Sequence, residues 1–168
     1  FYTGGATPLA AGDTLYFLSG NYSRGVNGET YSSARPDVVR WDCGTGATVT
    51  GVVGTTGSPI IFQSLVERGA KVTGDGRGAI FNIIHCAVIE VRGFYVTNVN
   101  LATSGNQGFN INVEDSPDVT IARNLVTHPN FACANSADIG CNAQGIEINH
   151  SPRAIVEENE IYDYRRHG

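Results

Sequence analysis

The sequence contains no methionine, a single lysine (Lys71) and charged residues at only 16% of its 168 positions. Its basic residues never cluster beyond Arg165-Arg166, and sixteen acidic groups against eleven basic ones leave a net charge of −5. A nucleic-acid grip needs several phosphate-neutralising cations on one face, so no nucleic-acid partner is expected. No apolar stretch approaches the roughly 20 residues needed to cross a bilayer, so no membrane span is expected either. No Cys-x-x-Cys pair is present, which removes the common zinc and thioredoxin-type arrangements. A Ser/His/Asp triad context is also missing, and Gly74-Asp-Gly-Arg-Gly reads as a turn rather than a phosphate cradle. The chain opens on Phe1 with neither a charged n-region nor an apolar h-region. It is therefore expected to be a processed chain or an excised piece, such as the N-terminal part of a longer solenoid.

Apolar residues at 41% suffice for the core of one domain spanning 1–168, and the 21 glycines point to a turn-rich fold. The dominant signal is internal repetition. The segment from Gln107 (Gln-Gly-Phe-Asn-Ile-Asn-Val-Glu-Asp-Ser-Pro) overlays that from Gln144 (Gln-Gly-Ile-Glu-Ile-Asn-His-Ser-Pro) with one two-residue gap, so that Gln-Gly, Ser-Pro and a later Asn coincide. A more diverged copy begins near Ala79. Across the three copies an apolar-x-x-[Phe/Asn]-x-apolar unit recurs as Val91/Phe94/Val96, Ile121/Asn124/Val126 and Val156/Asn159/Ile161. Within each copy apolar and polar residues alternate at period two, as strands do, and helical periodicity is nearly absent. Short strands repeated about every 30 residues at corners such as Ser116-Pro117 describe the coils of a parallel β-solenoid. Asn124 and Asn159 then share one corner, where stacked amides can bond along the axis. An antiparallel sandwich would share the alternation but not the phase at which Asn and Ser-Pro return.

The run Ala11-Gly-Asp-Thr-Leu-Tyr-Phe-Leu-Ser-Gly-Asn-Tyr-Ser resembles the segment with which proteins of the pectate-lyase-like superfamily enter their first coil. Ser58-Pro-Ile-Ile-Phe-Gln followed by Lys71-Val-Thr-Gly-Asp-Gly is similar to their next coil. The resemblance covers roughly Ala11 to Tyr164 and implies an all-β, right-handed parallel β-helix of about five coils. The Gly/Ser/Thr-rich stretch 22–57, holding Trp41 and Cys43, departs from the pattern and is expected to be a lateral loop.

In that superfamily the outer face of the first sheet usually carries a carbohydrate groove. With Phe81/Ile83, Phe109/Ile111 and Ile146/Ile148 inward, strand alternation turns two rows outward. One is Asn82, Asn110 and Glu147; the other is Ile84, Asn112 and Asn149; His150 stands at the strand end. The resemblance makes Asn82, Asn110, Asn112, Glu147, Asn149 and His150 a candidate carbohydrate surface, with Glu114, Asp115 and Glu147 as candidate oxygen ligands for calcium. Polar outward positions are also what any soluble solenoid shows. Lyases of the superfamily abstract the proton beside a uronate carboxylate with a Lys or Arg, often with calcium. Here the central rows lack both, Lys71 lies in an early coil, and Arg165, Arg166 and His167 are left as candidates at the end of the chain. The hydrolase branch uses paired Asp, but Asp115 and Asp118 flank Ser116-Pro117 and read as turn residues.

Four cysteines stand at 43, 86, 133 and 141. A Cys133–Cys141 bridge would staple the polar stretch between them and leave Cys43 with Cys86; free thiols are the other reading. The sequons at Asn21 and Asn149 fit a glycosylated, secreted protein. The functional expectation is an extracellular polysaccharide-interacting protein, with a lyase of uronate-containing glycans as its catalytic form. The alternative is a non-catalytic structural or adhesion module that self-associates through its solenoid ends.

Overall fold

A computed structural model describes residues 9–23, 38–45, 48–49, 53–74, 79–98, 109–127 and 144–162. None of these residues is helical. Strands β1 (Thr14–Phe17), β2 (Gly20–Ser23) and β3 (Val39–Asp42) open the chain, and a two-strand antiparallel ribbon follows, β4 (Gly44–Thr45) with β5 (Thr48–Val49). The second coil comprises β6 (Ile60–Ser64), β7 (Ala70–Gly74) and β8 (Phe81–Ile84), and the third β9 (Ile89–Arg92), β10 (Tyr95–Asn98) and β11 (Phe109–Glu114). Next come β12 (Thr120–Ala122), β13 (Leu125–Thr127) and β14 (Gln144–Asn149), then β15 (Ile155–Glu157) and β16 (Glu160–Tyr162). They assemble into three parallel sheets, ordered β1-β6-β9-β12-β15, β16-β13-β10-β7-β2 and β14-β11-β8-β3. Every third strand stacks on its counterpart one coil earlier. The architecture is the expected all-β parallel β-helix, with five coils.

The core is a set of axial rows of apolar side chains, one per inward position of each sheet. Leu15, Phe62, Val91, Ile121 and Val156 form one row; Tyr22, Val72, Val96, Val126 and Ile161 form another. The third sheet adds Val39–Phe81–Ile111–Ile146 and Trp41–Ile83–Val113–Ile148. Phe94 packs edge-on against Phe17 at 5.0 Å and meets Phe81 at 4.9 Å, joining the sheets through the centre.

The corners explain the repeated Asn and Ser. The Phe94 N–H donates to Asn124 Oδ1 at 3.0 Å, and the Asn124 N–H to Asn159 Oδ1 at 2.9 Å, so each amide oxygen satisfies the backbone of the preceding coil. Asn124 Nδ2 donates to the Val91 carbonyl and Asn159 Nδ2 to the Ile121 carbonyl, which closes the ladder. At a second corner Cys86 N–H donates to Ser116 Oγ and Ser116 N–H to Ser151 Oγ, both at 3.0 Å. Three further rows turn through left-handed backbone: His85/Asp115/His150, Val88/Asp118/Arg153 and Gly93/Arg123/Glu158. The spacing is 30 residues from the third-coil corner to the fourth and 35 from there to the fifth.

One finding qualifies the sequence reading and another agrees with it. Within the stretch 22–57, residues 39–42 form β3 and pair in parallel with β8, so that part lies in a coil. Cys43, directly after β3, is bonded to Cys86, directly beyond β8, with Cα atoms 4.9 Å apart, and this fastens the first coil to the second. Cys133 and Cys141 lie outside the described residues.

Candidate functional site

The outer face of the β3, β8, β11 and β14 sheet carries the expected polar residues, in a register that differs from the expected one. Asn112, not Asn110, pairs with both Asn82 and Glu147, and Glu114, not Asn112, pairs with Ile84 and Asn149. The Ser116–Ser151 spacing of 35 holds through the whole strand pair. The Gln-Gly match at Gln107 and Gln144 suggested a two-residue shift because the two copies share that dipeptide. Alternation at period two would survive a slip by two, so the register is set instead by the corner ladder, in which the Ser116 N–H donates to Ser151 Oγ.

The outward rows are therefore Arg40–Asn82–Asn112–Glu147 and Asp42–Ile84–Glu114–Asn149. Asn112 Nδ2 donates to Asn82 Oδ1 at 2.9 Å, and both residues are buried, at 9% and 7% exposure. Asn110 is fully buried, with Nδ2 donating to the Thr127 carbonyl at 2.9 Å, so its amide holds the scaffold together. Glu147 and Asn149 are half-buried and His150 is exposed. Burial pushes the Glu147 carboxyl above its ordinary range, and the neighbouring charge of Glu114 adds to the shift. Among the described residues no three His, Cys, Asp or Glu groups gather as a metal-holding set, Glu114, Asp115 and Glu147 included.

At the C-terminal edge of this face, side chains from the corners form an alternating array. Asp42 Oδ1 lies 3.4 Å from His85 Nδ1, His85 Nε2 lies 3.8 Å from Asp115 Oδ2, and His150 Nδ1 lies 3.7 Å from Asp115 Oδ1. Asp42 is held by Arg40 at 2.7 Å and by the Gly44 N–H at 3.3 Å. Burial alone would raise its pKa, but the hydrogen bonds from Arg40, Gly44 and His85 outweigh that and hold the carboxyl below its ordinary value.

Sequence reasoning missed Arg40, Asp42 and His85. His85 was detectable, because it stands 30 residues ahead of Asp115 in a repeat of that length. Arg40 and Asp42 lie in a stretch without repeat character and left no signal. Lys71 lies on another sheet, its Nζ 4.8 Å from the Tyr95 ring centroid, with Asn21 beside it in register. Of the two sequon asparagines, Asn21 is exposed and Asn149 half-buried. Arg165, Arg166 and His167 lie outside the described residues.

A disulfide-fastened parallel β-helix with an outward row of cation, amides and carboxylate along one sheet is the class these features define. Among solved structures the chain is similar to a rhamnogalacturonan lyase, with a TM-score of 0.55, 15% identity, and 92% of this chain and 44% of that one covered. At that identity the likeness shows the fold, and the chain spans less than half the length of the lyase. No family model matches the sequence, and no curated protein does.

Proposed function

We propose that the protein binds and cleaves an extracellular uronate-containing polysaccharide at the outer face formed by β3, β8, β11 and β14. The observation that carries this reading is the single outward row Arg40–Asn82–Asn112–Glu147. It places a guanidinium at one end, suited to a uronate carboxylate. At the other end stands the Glu147 carboxyl, whose pKa is raised by burial and by the neighbouring charge of Glu114. Four parallel strands spaced about 4.8 Å set these ends about 14 Å apart, room for a short oligosaccharide. Since Asn82 and Asn112 are buried, the glycan contacts fall to Glu147, Asn149, His150 and Arg40, with the two amides bracing the row from beneath. The likeness to a polysaccharide lyase supports a carbohydrate-active role, and the Cys43–Cys86 disulfide supports an oxidising, extracellular setting.

The test is a panel of polyuronates and neutral polysaccharides, with and without calcium, read by unsaturated-product absorbance and by new reducing ends. Absorbance growing on a polyuronate is the expected result. A folded sample that neither binds nor degrades any member of the panel would overturn the reading.

A second reading, end-to-end self-association as a structural module, draws on the last coil. Ile155, Val156 and Tyr162 are all exposed there, and Val156 sits in a row that is otherwise core. Concentration-dependent growth in light scattering, together with silence on the glycan panel, would favour it.

A further inference from the structure

We infer that His85 is the proton-abstracting residue of this face and that Asp42 positions it. The inference rests on the polysaccharide reading above. Asp42 is immobilised on one oxygen by Arg40 and leaves the other 3.4 Å from His85 Nδ1. A hydrogen on Nδ1 then points at Asp42 and the lone pair is on Nε2, the tautomer a base requires. Nε2 lies 3.8 Å from Asp115 Oδ2, beyond hydrogen-bond distance. That carboxylate, itself an acceptor, does not engage the lone pair, and it is near enough to stabilise an imidazolium once it forms. The His85 side chain is 18% exposed, which leaves a path for substrate while limiting bulk water.

Among the described residues, the charged groups paired with the imidazole belong to the same edge. Asp42 with its partner Arg40 approaches from β3, Asp115 from the corner after β11, and His150 touches the far oxygen of Asp115. In the step itself Nε2 takes the proton from the carbon bearing the uronate carboxylate. The freed electron pair forms the new C=C bond, the bond from the adjacent carbon to the glycosidic oxygen breaks, and that oxygen takes a proton from the imidazolium or from water. Atoms and charge balance without a further reactant.

The experiment compares the full chain with His85→Asn and Asp42→Asn on polygalacturonate, measuring kcat against pH and glycan Kd by calorimetry. His85 has a φ of 53°, and Asn tolerates the left-handed region while lacking a basic nitrogen, so this variant keeps the fold. The expected results are a kcat loss of about 100-fold or more in His85→Asn with Kd unchanged, and an acidic limb displaced to lower pH in Asp42→Asn. A solely structural role would lower kcat evenly at all pH. His85→Asn with wild-type kcat would overturn the inference and leave the polysaccharide reading in place. A wild-type chain that binds the glycan without producing unsaturated ends would do the same. A wild-type chain inert in both binding and cleavage would defeat the polysaccharide reading itself.

Discussion

Replacing Asn124 by Ala strips the corner ladder at its most buried rung. The side chain accepts the Phe94 N–H at 3.0 Å, donates to the Val91 carbonyl at 3.1 Å and touches Asn159 Oδ1 at 3.0 Å, and it is fully buried. Alanine leaves the Phe94 N–H without its acceptor and Val91 without one donor, in a place water does not reach. A buried group deprived of its partner costs about 1–3 kcal/mol, so the expected loss is about 2–4 kcal/mol. That is a large share of the 5–15 kcal/mol by which a domain is usually stable, and in urea the midpoint should fall by about 1–2 M. Asn159→Ala is the internal control. It removes the same side chain from the same corner in the last coil, where the residue is only half-buried and water can replace the lost bonds, so about 1 kcal/mol is expected. Because Asn124 Nδ2 and Asn159 Oδ1 are bonded, the double variant should lose less than the two single losses together. Equal costs for the two substitutions, or a cost below about 1 kcal/mol at Asn124, would refute the view that the ladder supplies buried backbone with partners.

Cys43 and Cys86 are 43 residues apart, and a closed loop of that size restricts the unfolded chain by about 4 kcal/mol. Reduction, or the Cys43→Ser/Cys86→Ser variant, should lower the urea midpoint accordingly, and an unchanged midpoint would contradict the assignment. The sign for Glu147 runs opposite to the usual carboxylate. Its folded pKa lies above the ordinary value, so ionising it costs folding free energy, and that cost grows as pH rises above about 4.5. Glu147→Gln should therefore be more stable than the wild-type chain at pH 7, with the gap closing as pH falls towards 4.5. Parallel stability-against-pH curves for the two proteins would sink that reasoning.

Much of the scaffold was legible in the residues. The returning Asn124 and Asn159 announced a corner and proved to be one, because only a side chain with both donor and acceptor can serve two coils at once. The Phe81, Ile111 and Ile146 alternation gave the inward faces correctly. The register failed at Asn110, where a local dipeptide match at an interval of 37 competed with the Ser116–Ser151 corner spacing of 35, which holds through the strand pair. The face was incompletely read for a different reason. Asp42 reaches His85 across 43 residues, through a strand whose sequence lacks the repeat, and such proximity is created by stacking rather than by spacing. Polar residues between apolar ones were rightly turned outward, yet Asn82, Asn110 and Asn112 are buried all the same, which alternation alone does not reveal.

The unequal spacing of the coils has a consequence for how such a molecule can change. From Ile80 to Thr97 and again from Asn110 to Thr127, strands, left-handed corners and ladder residues recur at one interval of 30, while the next interval is 35. The stacked frame keeps its phase through that change, so the added length is carried entirely by the connection between β13 and β14. Chain-closure entropy grows only slowly with loop length, and such connections can lengthen or vary at little thermodynamic cost. A single residue inserted between Ser116 and Asn124 would instead dephase both ladders. The fold thus separates two inheritances: ladder-bearing corners at Ser116 and Asn124 that keep one phase, and a connection after β13 whose length can be rewritten.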